Sequence, residues 1–72
     1  MNAHQSSVFT TLINNDPEIQ AKTARATVCK VELMTTELGS ERNLNLREEI
    51  ACLDADINQR KDEHEQTARA TL

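Results

Sequence analysis

The side chains with the means to do chemistry in this chain are two histidines, two cysteines and twelve carboxylates. His64 stands in Asp62-Glu63-His64-Glu65. A histidine among carboxylates suits a metal ion or a proton transfer when the groups converge. Neighbouring residues on a helix point in different directions, so these do not converge. His64 has no second histidine near it, and His4 lies close to the start of the chain. The expected role of His64 is a solvated or interfacial imidazole, lending helix pairing a mild pH sensitivity around pH 6–7.

Cys29 and Cys52 invite a nucleophile, a redox pair or a disulfide. Their separation of 23 positions is neither a metal-ligand spacing nor a disulfide framework. In a hairpin centred near residue 42, position 29 is level with about position 55. Cys52 then lies within a turn of Cys29, but both sit off the main seam, where a short bridge is awkward. They are expected as free thiols acting as small, partly buried hydrophobes. No Ser/His/Asp grouping is recognisable, and the single glycine cannot build a phosphate loop. No catalytic, cofactor-binding or metal-binding residue is expected, and the chain reads as a non-enzyme with no evident small-molecule substrate.

Charge narrows the partners. Twelve acidic against eight basic residues give a net charge of −4, which disfavours nucleic-acid binding driven by phosphate neutralisation. The lack of Trp and Tyr removes the usual stacking platform for single strands. One basic cluster, Lys22, Arg25 and Lys30, keeps an RNA- or DNA-binding hairpin dimer as the competing expectation. Acidic residues concentrate on the second half, where Asp54, Asp56 and Glu63 offer a surface for a basic partner.

These residues must be positioned by helices. Asp16-Pro17 is an N-cap followed by the favoured first helical residue. Gly39 is the natural left-handed terminator. Between them the pattern predicts a helix over 17–38. Asn45-Leu46-Arg47-Glu48 resembles a capping box and predicts a second helix over 45–70, with Ser40 as a competing start one turn earlier. Val8, Phe9, Leu12 and Ile13 share one face of a short helix over 6–14, expected to pack across the hairpin. The fold class is therefore all-α, a single domain over 1–72: an antiparallel hairpin of two long helices with coiled-coil-like seams, preceded by a short helix.

The seam of the second long helix runs Leu46, Ile50, Leu53, Ile57, and continues as Arg60, His64, Thr67 and Thr71. On the first, Ala21, Ala24, Val28, Val31, Thr35 and Leu38, with Met34 beside them, are the expected seam. A second stripe, Ile19, Ala26 and Leu33, lies on roughly the opposite side. It is expected to face the short helix, a second copy or a partner. The motif Thr-Ala-Arg-Ala-Thr occurs at 23–27 and again at 67–71; its two copies fall on different faces, so it reads as coincidence.

At 72 residues a core without large rings is near the lower limit of self-sufficiency. The function expected is therefore protein–protein interaction or regulation: an inhibitor, adaptor or small chaperone, with itself or another protein as partner, as a homodimer or a hetero-complex. The anchors expected are Phe9, Ile19, Ala26 and Leu33, with Asp54, Asp56 and Glu63 giving charge complementarity. No apolar run approaches the ~20 residues of a membrane span, and no secretory leader is visible. A cytoplasmic location is expected.

Overall fold

The structure is a computed structural model that describes residues 1–71. It contains three helices: α1 (Ala3–Asn14), α2 (Pro17–Leu33) and α3 (Glu41–Arg69). The all-helical fold class read from the sequence is what forms, with two longer helices preceded by a short one.

Helix α1 starts three residues earlier than the 6–14 expected. Asn2 builds a capping box with Gln5: the Asn2 side chain accepts from the Gln5 amide at 2.8 Å, and Gln5 Oε1 accepts from the Asn2 amide at 3.1 Å. Helix α2 begins as expected, with the Asp16 carboxylate accepting from the amides of Glu18 at 2.9 Å and Ile19 at 3.2 Å. It ends at Leu33 rather than 38. The hydroxyls of Thr35 and Thr36 donate to the carbonyls of Glu32 and Leu33, at 2.7 and 2.8 Å, and the backbone tightens to i→i−3 bonds. Two adjacent threonines compete with the helical ladder through these side-chain bonds.

Helix α3 starts at Glu41, four residues before the 45 expected. Gly39 takes the left-handed conformation, φ 83°, which turns the chain so that Ser40 Oγ accepts from the Asn43 amide at 3.2 Å. Ser40 is the cap that forms, because a left-handed glycine directly before it aims the chain into the helix. Asn43 is then buried, donating to Thr36 Oγ1 at 2.9 Å across the turn.

The short helix does not pack across the hairpin. Gln5 reaches the carbonyls of Arg69 and Thr71, Asp16 reaches Arg60 and His64, and Glu32 reaches Arg42. Both α1 and α2 therefore run antiparallel to α3, in line with each other. Their 12 and 17 residues come to about 18 and 26 Å, matching the ~43 Å of the 29-residue α3 at 1.5 Å per residue. The principal extents, 50 × 17 × 15 Å, are those of a rod two helices thick.

Which faces meet is the main correction. The buried residues of α2 are Ile19, Ala26 and Cys29, with Leu33 half-buried, while Ala21, Ala24, Val28, Val31, Met34 and Leu38 are exposed. The stripe expected to be secondary is the core, and the expected seam faces outward. On α3 the seam holds through Asn43, Leu46, Ile50, Leu53 and Ile57; Ala68 then replaces Thr67 as the buried position. Small buried residues (Ala26, Cys29, Ala68) let the helices approach closely. Cys29 meets Glu49 rather than the region of 55, so the hairpin is centred near Gly39 and not near 42.

Candidate functional site

Helix α2 has two faces of different character, and its charged residues explain both. It carries Glu18, Lys22, Arg25, Lys30 and Glu32. Glu18 pairs with Arg60 at 3.0 Å, Lys22 with Asp56 at 3.2 Å, Arg25 with Glu49 at 3.1 Å, and Glu32 with Arg42 at 2.6 Å. Lys30 lines a groove on the opposite flank with Asp54 and Lys61. Each pair is weak in solvent. Four of the five charged residues of α2 thus pair with α3 from its flanks, while Lys30 is exposed.

The tightest cluster sits at the joint between α1 and α2. The Asp16 side chain is 2% exposed. Its Oδ2 lies 2.5 Å from Arg60 Nε and 2.6 Å from His64 Nε2, while Oδ1 caps α2. The hydrogen bond from His64, then those from Arg60 and the two capping amides, outweigh burial and hold the carboxyl well below the usual carboxylate range. The same contacts raise the Arg60 guanidinium. His64 thus takes the interfacial of its two expected roles, as the partner of a buried carboxylate. Sequence reasoning missed this triad. The available signal was the continuation of the α3 seam as Arg60 and His64: polar groups on an inward face demand an inward partner.

A second cluster lies nearer the hairpin turn. The Cys29 thiol donates to Glu49 Oε2 at 2.8 Å, and Arg25 grips both oxygens of Glu49 at 3.1 Å. The bond to Glu49 and burial push the Cys29 thiol up, away from the thiolate form. Glu49 is held down by Cys29 and Arg25. Cys52 is exposed, and neither cysteine is in a disulfide. Among the described residues no group of three or more His, Cys, Asp or Glu is placed to hold a metal ion, and no helix is long and apolar enough to cross a membrane.

The outward face of α2 is different. At 100° per residue, Pro17, Gln20, Ala21, Ala24, Thr27, Val28, Val31 and Met34 lie opposite Ile19, Ala26 and Cys29, and all of them are exposed. None is charged, in a chain where 28% of residues are. Val28, Val31 and Met34 are 47, 59 and 86% exposed, and Leu38 in the turn beyond is 82% exposed. A solvated helix face ordinarily carries charge; this one carries none, and Gln20 and Thr27 are its polar side chains.

The residues singled out from sequence are therefore scattered. Ile19 and Ala26 are core and unavailable to a partner; Leu33 and Phe9 are half-buried against the chain itself. Asp56 is engaged by Lys22 and Glu18 shares that lysine; Asp54 is half-buried and Glu63 exposed. Of the basic set, Lys22 and Arg25 are held by their own chain's carboxylates, which raises both further. The two copies of Thr-Ala-Arg-Ala-Thr bury different members, Ala26 in the first and Ala68 in the second. What the geometry does bring together, the Ala24–Val28–Val31–Met34 face, was assigned from sequence to the core. No protein-family model matches the chain, and no curated protein or solved structure is similar to it.

Proposed function

We propose that this chain is a non-enzymatic interaction protein that acts by docking the outward face of α2, with a regulatory or adaptor role exercised through that contact. One observation carries the reading: a helix whose charges lie along its flanks leaves an exposed strip of Ala21, Ala24, Val28, Val31 and Met34 with no charge on it. Large exposed apolar faces on small domains mark interaction sites. The expected docking through acidic α3 is revised accordingly. With Asp56 tied to Lys22, the acidic groups of α3 serve as the solvated back of the molecule. Nucleic-acid recognition through Lys22 and Arg25 is disfavoured, because each phosphate contact would first have to break an ion pair with Asp56, Glu18 or Glu49.

A photo-crosslinking residue placed at Val31 tests this in the cells that make the protein, with the same residue at exposed Arg47 on α3 as the control. The reading predicts adducts to polypeptide from Val31 and none from Arg47. Equal labelling from both positions, or none from Val31, would remove it.

A further inference from the structure

Resting on that reading, we infer that the occupant of the outward α2 face is a second copy of this chain, packed antiparallel across a two-fold axis between Ala24 and Val28. Three observations on the molecule point to a copy rather than to a foreign partner.

The first is how charge is distributed. Helix α3 holds eight acidic and five basic residues, whereas α2 holds two acidic and three basic. Joining two copies through α2 puts the acidic helices on the outside of a four-layer stack. At about 8–10 Å per helix layer the two α3 helices stand roughly 25–30 Å apart, beyond the ~8 Å screening length at physiological salt. The net charge of −4 per chain therefore does not oppose this contact, although it would oppose pairing through α3.

The second is shape. The face is graded, with Pro17, Ala21 and Ala24 at one end and Val28, Val31 and Met34 at the other. Antiparallel packing sets the small end of each copy against the large end of its mate, so the gap between the helices fills evenly. A two-fold contact requires one patch to complement itself, and a graded stripe does so in this orientation alone. On one rim Arg25 and Glu32 lie one heptad apart, each already paired with α3, so that rim brings no unmatched charge to the contact; the other rim carries Lys30.

The third is need. Among the described residues only Ile19, Ala26, Cys29, Leu46, Ile57 and Ala68 are buried apolar side chains, and none is aromatic. A rod two helices thick cannot enclose more. A copy laid on the opposite side of α2 adds a second apolar layer to this small core, and a copy is present whenever the chain is made.

Sedimentation velocity of the purified chain at micromolar concentration gives the first readout: a mass twice the 8.1 kDa of one chain. Val31→Glu should halve that mass while leaving the far-ultraviolet helical signal in place. If Val31→Glu instead unfolds, the wild-type unfolding midpoint decides the matter: the inference requires it to rise with protein concentration. Mixed Ala24→Cys and Val28→Cys chains, each in a Cys52→Ser background, locate the axis, and should crosslink to each other where Arg47→Cys chains in the same background do not. A monomer with a concentration-independent midpoint overturns the inference, as does a dimer indifferent to Val31→Glu or a mixture of Ala24→Cys and Val28→Cys chains that does not crosslink. A monomer that still yields Val31 adducts to a different polypeptide in cells would sink self-association and leave the interaction reading standing. Absence of any Val31 adduct, self or foreign, would sink both.

Discussion

Asp16 does three jobs with one carboxylate: it caps α2, receives Arg60 and receives His64. Its depressed titration fixes the sign of a pH effect. A carboxylate lowered in the folded state contributes stability that is present above its unfolded value, about 3.9, and lost as pH falls through and below that value. The wild type should therefore lose stability steeply below about pH 4, and Asp16→Asn should lose less over the same range, because an amide still caps the helix but cannot titrate. Asp16→Ala removes the cap as well, and its melting temperature at neutral pH should lie about 5–10 °C lower. Thermal melts at several pH values read both. An acid slope unchanged in Asp16→Asn would mean that the triad is not what the acid attacks.

At the scale of the helices, the turn between α2 and α3 depends on Gly39. A Cβ at that position would meet nothing within 4 Å, so any cost of Gly39→Ala comes from the left-handed backbone and not from a clash. The expected loss is about 1 kcal/mol, with Gly39→Asn milder because asparagine tolerates that conformation. Urea melts should show a lower midpoint at an unchanged slope; equal stability of Ala and Gly would show that the turn relaxes freely. The turn at Gly39, the Asp16-Pro17 start and the run of Leu46, Ile50, Leu53 and Ile57 were legible in the sequence, because local chemistry and periodicity settle them, whereas the end of α2 at Leu33 rather than 38 was not. The facing of α2 was not. Ranked by hydrophobicity, Val28, Val31 and Leu38 outweigh Ala26 and Cys29, and that ranking pointed to the wrong core. The observed rotation brings together a set of cross-helix pairs, Glu18–Arg60, Lys22–Asp56, Arg25–Glu49 and Glu32–Arg42. These pairs become visible only once the register is known. The candidate site was lost with the rotation, since a stripe placed in the core cannot also be read as a surface.

For the whole molecule, the consequence of a rod two helices thick is that each stretch of α3 has a single neighbour. From the turn to about Arg60 that neighbour is α2; beyond His64 it is α1. The α1 end is the weaker one, because α1 buries none of its residues fully, leaving Val8, Phe9, Leu12 and Ile13 half-exposed. Gln5 holds that end together: its side chain closes the α1 capping box and donates at 3.1 Å to the carbonyls of both Arg69 and Thr71. Gln5→Ala removes these bonds together. Net losses of about 0.5–1.5 kcal/mol per bond correspond to roughly tenfold or more in a local opening equilibrium. Amide exchange should therefore quicken by at least about tenfold in residues 65–70 of α3 and in the first turn of α1. The stretch from Leu46 to Ile57, held by α2, should keep its protection, as expected for a chain that opens in separate segments. Uniform acceleration along α3 would show instead that α1, α2 and α3 open as one cooperative unit, and that the joint at Asp16 couples the two ends of the rod more strongly than their separate packing provides.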